Sequence, residues 1–180
     1  MQPLIVLGMH RSGTSLAMQM LRAGGVPVLE DGAREADADN PRGYLEDQRT
    51  LRLWQDASWL DEAVGKAVKI VCPLLTALPF DHTFHVIAIE RELVEIIASQ
   101  AAMLRRRGED ARAIDAFPAL VDQLRAFRRW VRYQPNFRVL WLDHRRIIEA
   151  GAEAAAQIAD FLGQPLDRAA MAAAVEPVLH

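Results

Sequence analysis

Residues 4–15 read Leu-Ile-Val-Leu-Gly-Met-His-Arg-Ser-Gly-Thr-Ser, an apolar run that ends in a glycine-bounded loop. Thr14 and Ser15 then open a segment whose apolar residues follow a helical period. A loop of this kind, between a strand and a helix, aims successive backbone N–H groups at one point, and the helix N-terminus adds a partial positive charge. The stretch therefore predicts a cradle for an anionic group.

The spacing of this loop matches that of nucleotide-binding P-loops at all positions but one. Gly8-x4-Gly13-x-Ser15 has Thr14 where the P-loop lysine belongs, and the nearest cation is Arg11, inside the loop. A guanidinium together with an array of N–H groups neutralises a small anionic group without a metal ion. We therefore expect a phosphate or sulfate ester to bind here, and the sequence predicts no metal ligands.

Composition narrows the class of protein. The chain has 180 residues, 51% hydrophobic and 25% charged, which predicts one globular domain over residues 1–180. The net charge of −3 gives no general attraction to nucleic acid, so an anion site must be local. Cys72 is the only cysteine, and no apolar run is long enough to span a membrane, so we expect a cytoplasmic protein.

Four short runs rich in Val, Ile and Leu predict buried parallel strands, and helical patterns separate them. The runs are Leu4–Leu7, Val68–Cys72, Phe84–Ile89 and Arg138–Leu142. This alternation predicts a three-layer α/β/α fold with a mainly parallel sheet, like that of P-loop nucleotide hydrolases. Ligands in such sheets bind at the carboxyl edge, where the loop after the first strand lies.

Periodicity predicts six helices and one long loop. The helices are Ser15–Ala23, Asp47–Leu60, Leu93–Arg107, Pro118–Val131, Ala152–Leu162 and Asp167–Val175. The loop, Val28–Asp39, is acidic and aperiodic, and its position suits a lid. The arginines at 105–107 are predicted to lie on a solvated helix face, with contact to an anionic acceptor as the alternative. The tryptophans are predicted to be core residues, with Trp54 and Trp59 as candidates for the wall of an acceptor pocket.

Several motifs resemble one family. The segment His10–Ser15 resembles the 5′-phosphosulfate loop of the sulfotransferases that use 3′-phosphoadenosine 5′-phosphosulfate (PAPS), in which Lys or Arg precedes Ser-Gly-Thr-Thr/Ser. Arg91 and Ser99, after the third apolar run, are similar to the family's Arg-x7-Ser element for the donor's 3′-phosphate. Asn40–Glu46 resembles the Asn-Pro-x-Gly-Tyr-x-Glu segment of its bacterial and carbohydrate-type branch. Val139–His144 and a later Phe-Leu-Gly also match, so the resemblance spans nearly the whole chain.

The resemblance implies a sulfotransferase that uses PAPS and an acceptor the sequence does not identify. It assigns donor binding to seven residues: Arg11, Ser12, Gly13, Thr14, Ser15, Arg91 and Ser99. Arg11 and the amides of residues 12–15 would neutralise the charge that builds on the bridging oxygen, which Lys69 would also touch. Glu46 is the first candidate for the general base and His10 the second.

Each role has a structural alternative. Glu46 sits where a helix dipole favours an acidic residue, and His10 is equally a loop scaffold. Lys69 is equally a strand-end lysine that reaches solvent, and Arg91 a surface ion-pair partner of nearby glutamates. The pairing of Arg91 with Ser99 rests on the resemblance, because eight helical residues rotate by roughly 80° and advance about 12 Å.

The chain also departs from the cytosolic small-molecule branch of this family. No histidine lies near Lys69, and the sequence contains no Arg-Lys-Gly segment to cover the donor. A second function is therefore a non-catalytic domain that holds a phosphonucleotide in the same cradle. A P-loop kinase or NTPase is less favoured, because Thr14 replaces the lysine. In addition, the runs Val68–Cys72 and Arg138–Leu142 offer only Asp143 to hold Mg²⁺, and Phe84–Ile89 continues into Glu90-Arg91.

Overall fold

The computed structural model describes residues 2–37, 39–109 and 117–175. In this part of the chain four strands form an all-parallel sheet in the order β2-β1-β3-β4. The strands are β1 (Leu4–Gly8), β2 (Ala67–Val71), β3 (Phe84–Glu90) and β4 (Phe137–Asp143). The predicted parallel sheet is confirmed, and its strands lie where the apolar runs place them.

Alternating residues of β1 serve two separate cores. Leu4 and Val6 belong to a cluster with the helices on one face, whereas Ile5 and Leu7 belong to a second cluster on the other face. All five residues of the strand are buried. A strand covered on both faces needs an unbroken apolar run, which explains why this stretch shows no polar alternation.

Six α-helices are present in the described residues. They are α1 (Thr14–Ala23), α2 (Leu93–Arg106), α3 (Phe117–Arg132), α4 (His144–Glu149), α5 (Gly151–Leu162) and α6 (Arg168–Ala173). The first core takes residues from α1, α4, α5 and α6, and the second takes residues from α2 and α3. The predicted three-layer α/β/α fold is therefore confirmed. No helix in the described ranges is both long and apolar enough to cross a membrane.

The predicted helix Asp47–Leu60 is wrong. The segment contains two short 3-10 helices, Gln48–Arg52 and Ser58–Ala63. The carboxylate of Asp47 accepts a hydrogen bond from the amide of Arg49 at 2.9 Å, and that of Asp56 accepts one from the amide of Ser58 at 2.9 Å. Each aspartate thus starts a new turn, and these local bonds compete with a continuous helix.

The expectation that all tryptophans are core residues is also wrong. Trp59 is 5% exposed and lies in the second core, but Trp54 is 70% exposed. Trp141, on the edge strand β4, is partly exposed. Neither Trp54 nor Trp59 lines the pocket described below.

Candidate functional site

Close packing under the loop between β1 and α1 explains its two glycines. A Cβ on Gly8 would lie 2.3 Å from the buried Ser12 Oγ and 3.2 Å from the carbonyl oxygen of Ile89. Gly13 has a φ of 99°, and a Cβ there would lie 2.3 Å from Cδ2 of His144. Arg11 also has a positive φ, 69°. The loop is therefore a tight, specified turn, as the glycine spacing predicts.

The N-terminal amides of α1 are the main hydrogen-bond donors of this loop. Among the described residues, none accepts a hydrogen bond from the amides of residues 13–16, and Gly13 supplies no side-chain cap. These amides belong to the first turn of a helix, where unpaired N–H groups carry a partial positive charge. The arrangement has the chemistry of an anion site.

Ser12 differs from its neighbours. Its amide donates to the carbonyl of Met9 at 3.1 Å, and its side chain is fully buried beneath the loop. The Ser12 amide, expected in the cradle, thus bonds to Met9, whereas residues 13–16 supply amides that no other group in the described chain uses.

Arg11 lies close to Arg91 and Ser99, although it is far from both along the chain. The Nε of Arg11 donates to Oγ of Ser99 at 3.0 Å. The Nη1 of Arg91 donates to the carbonyl of Arg11 at 3.0 Å, and its Nε donates to Glu95 at 3.2 Å. Arg91 thus forms an ion pair with a nearby glutamate, as its structural alternative predicts. It also contacts the loop between β1 and α1. Ser99 meets Arg91 through Arg11, which the helical geometry of α2 alone does not predict.

Lys69, Glu46 and Ser15 form a second group on the other side of the loop. The Nζ of Lys69 donates to Oγ of Ser15 at 2.9 Å and to Oε1 of Glu46 at 2.7 Å. Asn40 Nδ2 donates to the same Ser15 oxygen at 2.7 Å. Because both lone pairs of the Ser15 hydroxyl are engaged, its proton is left to donate elsewhere. Lys69 is 6% exposed, so it does not simply reach solvent.

The charges in this group shift one another's pKa. Burial favours the neutral acid of Glu46, but the charges and hydrogen bonds of Lys69 and Arg34 outweigh it and hold the pKa of Glu46 below its usual value. Burial lowers the pKa of Lys69, and the carboxylate of Glu46 opposes that shift. Desolvation and the positive charges of Lys69, Arg11 and Arg34 lower the pKa of His10. At neutral pH the site therefore holds an ionised Glu46 and a neutral His10.

One pocket of roughly 430 Å³ joins these groups at the carboxyl edge of the sheet. Nine of the ten predicted site residues line it: His10, Arg11, Gly13, Thr14, Ser15, Glu46, Lys69, Arg91 and Ser99. The exception is Ser12. In the described ranges, no group of three or more His, Cys, Asp or Glu side chains is placed to hold a metal ion.

Of the thirteen further residues that line the pocket, four stand out among those absent from the sequence-based site. Asn40 and Tyr44 come from the segment Asn40–Glu46, whose resemblance named only its glutamate. His144 follows β4 and lies against Gly13. Arg106 lines the pocket, although its side chain is 47% exposed. Asn40, Tyr44 and His144 lie in segments that matched a motif, but no role was assigned to them, and Arg106 lies in no matched segment.

No protein-family model matches the chain, and no curated protein matches it significantly. Among solved structures, it is similar to retinol dehydratase in complex with androsterone and the inactive cofactor PAP, with 16% identity and a TM-score of 0.51. The alignment covers 100% of this chain and 65% of that one, so this chain spans about two thirds of its length.

Two other structures give weaker likenesses. A second retinol dehydratase structure, with retinol and PAP, has 16% identity, a TM-score of 0.47 and coverage of 95% and 63%. An unliganded sugar kinase from Janibacter sp. HTCC2649 has 18% identity, a TM-score of 0.48 and coverage of 99% and 97%. At these identities a likeness concerns the fold alone. The resemblance read from the sequence is confirmed at that level: the chain has a sulfotransferase-like fold.

Proposed function

We propose that the protein transfers a sulfonate group from PAPS to an oxygen or nitrogen of an acceptor. The observation that carries the proposal is the set of uncommitted amides at residues 13–16 in a pocket that Arg11 and Lys69 also line. Retinol dehydratase, which has a similar fold, was crystallised with the inactive cofactor PAP. That PAP-type nucleotides bind here as well is part of the proposal.

The chemistry of the donor set fits a phosphosulfate. Amides 13–16 and the hydroxyls of Thr14 and Ser15 suit the 5′-phosphate, and Arg91 and Ser99 suit a second phosphate farther along the pocket. The positive φ of Gly13 keeps the cradle open, since any side chain there would be strained and would press on His144. PAPS supplies the sulfonate group and a phosphate leaving group.

Three groups would stabilise the charge that develops as the sulfonate departs. The Arg11 guanidinium and the Lys69 ammonium both line the pocket, and the Ser15 hydroxyl has a proton to donate. Fixed donors of this kind lower a barrier because they need no reorganisation when charge develops. Lys69 is held by Ser15, Glu46 and the carbonyl of Tyr44, so its position is set before a ligand arrives.

Two groups compete for the role of general base. Glu46 is ionised, but one oxygen is bound by Lys69 and the other by Arg34 at 3.2 Å, which makes it a weak base. His10 is neutral at pH 7 because its pKa is lowered, and it lines the same pocket. We keep Glu46 as the first candidate, since acceptor binding that frees one oxygen would restore its basicity.

The pairing of Glu46 also favours a second function, a phosphonucleotide-binding domain without turnover. Both carboxylate oxygens accept from cations, which leaves Glu46 a weak base in the pocket. In that case the cradle binds the nucleotide but the protein does not catalyse transfer.

Calorimetry and a transfer assay separate these functions. We expect 3′-phosphoadenosine 5′-phosphate (PAP) to bind equally well with EDTA and with Mg²⁺, and ATP to bind more weakly. Metal-dependent binding of ATP with no response to PAP would overturn the proposal in favour of a kinase or NTPase. If PAP binds, a screen with labelled PAPS across phenols, sugars, lipids and peptides distinguishes a transferase from a binding domain.

A further inference from the structure

A carboxylate lies within the cationic part of this anion pocket. The side chain of Asp39 is 5% exposed. It accepts a hydrogen bond from Nε of Arg106 at 2.8 Å and lies 3.5 Å from Nη2 of Arg107. The backbone carbonyl of Asp39 is 3.5 Å from Nη1 of Arg11. An acidic residue held here opposes the entry of any anion that needs the same cations.

Arg106 stands in line with the residues of α2 that face the pocket. Ser99, Ala102 and Arg106 are spaced by three and four residues, so they share one face of the helix. All three line the pocket, and the small Ala102 leaves space between the two polar side chains. Arg106 lies two turns, about 10 Å, beyond Ser99. Its guanidinium therefore extends the row of donors that Arg91 and Ser99 begin.

The Asp39 carboxylate is the counter-ion of Arg106, and it belongs to a segment that reaches across the pocket. Its neighbour Asn40 donates to Ser15 in the cradle, and Asp37 lies 3.6 Å from Arg107. The ion pairs of Asp37 and Asp39 with the end of α2, together with the hydrogen bond from Asn40 to Ser15, thus connect the far end of α2 with the start of α1. A ligand phosphate that took Arg106 from Asp39 would act on the cradle as well.

We propose that Arg106 binds a phosphate of the nucleotide, and that Asp39 holds Arg106 until that phosphate displaces its carboxylate. This inference rests on the proposed function and adds a binding residue that the sequence did not indicate. The phosphate concerned is the one that the resemblance assigns to Arg91 and Ser99, the 3′-phosphate of PAP.

Binding of PAP and of AMP, which lacks the 3′-phosphate, to the full chain tests the role of Arg106. We expect Arg106→Gln to weaken PAP binding roughly tenfold, the loss typical of one charge-assisted hydrogen bond, and to leave AMP binding unchanged. Arg105→Gln is the matched control. Arg105 precedes Arg106 on α2, is exposed and does not line the pocket, so its loss should change neither affinity.

The role of Asp39 predicts an effect of opposite sign. Asp39→Asn keeps the size of the side chain but removes its charge, so PAP should bind severalfold more tightly. In the Arg106→Gln background the same change should give no gain, because the two residues act on each other. Circular dichroism establishes that each variant is folded. If Asp39→Asn does not fold, the comparison of Arg106→Gln with Arg105→Gln still decides the proposal.

The outcomes separate this inference from the proposed function. If the wild-type protein does not bind PAP, both are wrong. If it binds PAP, but Arg106→Gln binds PAP as tightly as the wild type or loses AMP to the same degree, Arg106 does not contact the 3′-phosphate. Weaker binding of PAP by a folded Asp39→Asn would show that Asp39 supports the site instead of competing for it.

Discussion

At the scale of single residues, the clearest constraint is the contact between Gly13 and His144. The ring of His144 lies where a Cβ of residue 13 would be, and the φ of 99° at Gly13 strains any residue with a side chain. Two independent effects thus select glycine at the first position of the cradle. The same contact fastens the start of α1 to the residue that follows β4.

Gly13→Ala should therefore cost more than strain alone. Gly25 has a similar φ of 92° with nothing near its missing side chain, so Gly25→Ala measures the strain by itself. We expect Gly13→Ala to lower the free energy of unfolding by about 1–3 kcal/mol more than Gly25→Ala, because it also overpacks the site. Urea denaturation of the two variants gives the comparison. Equal losses would mean that His144 moves aside freely.

The ion pair between Glu46 and Lys69 should support stability as well as the site. Glu46→Gln leaves a nearly buried ammonium without its carboxylate, at a cost of about 1–3 kcal/mol at pH 7. Glu62→Gln is the control, because its pair with Arg49 at 2.9 Å is exposed and should contribute less than about 1 kcal/mol.

The pH dependence of this difference has a definite sign. Because the folded state lowers the pKa of Glu46 from 4.5, its stabilising contribution is present above pH 4.5 and is lost as the pH falls through the lowered pKa. The stability gap between wild type and Glu46→Gln should therefore close in acid. A gap that stayed constant from pH 7 down to pH 3 would contradict the pairing.

Membership of the pocket could be predicted from sequence mainly where a motif named the residue. The motif of residues 10–15 placed Arg11, Thr14 and Ser15 in the pocket, and the position of Arg91 before a helix brought it to the same edge. Arg106 could not be found in this way. Its neighbour Arg105 faces solvent, and only the helix register and the contact with Asp39 distinguish the two.

At the scale of elements, strands were easier to predict than the segment after the cradle. Strands buried on both faces leave unbroken apolar runs, and each such run became a strand. In the segment 47–63, apolar spacing suggested one helix, but the side chains of Asp47 and Asp56 each accept a hydrogen bond from the amide two residues on and so start a separate short turn. Local hydrogen bonds between side chains and backbone amides determine the structure of this segment, and the spacing of apolar residues gives no information about them.

The two tryptophans of that segment should respond very differently to truncation. Trp59 is buried in the second core and lies under Arg49, whereas Trp54 faces solvent. Trp59→Ala should lower the free energy of unfolding by about 3–5 kcal/mol. Trp54→Ala should change it by less than about 0.5 kcal/mol. Chemical denaturation followed by circular dichroism measures both losses. Similar losses for the two variants would contradict the burial of Trp59 or the exposure of Trp54.

At the scale of the whole molecule, Cys72 reports on opening of the fold. It is 7% exposed at the end of β2, in the second core, and burial raises the pKa of its thiol. Both effects suppress the reactive thiolate, so a thiol reagent at pH 8 should react far more slowly with the native protein than with the unfolded chain. Rapid labelling of the native protein would contradict this burial and show that the end of β2 is accessible to the reagent.

The central claim is that the amides of residues 13–16 hold the anion, and amide NMR during a titration with PAP tests it most directly. In EDTA, the signals of Gly13, Thr14, Ser15 and Leu16 should shift in a saturable way, while that of Ser12, already bonded to Met9, should shift less. The same titration with Mg²⁺ should give the same curve. If PAP binds while these four signals stay in place, or if they respond only when Mg²⁺ is present, the cradle does not hold the nucleotide as described.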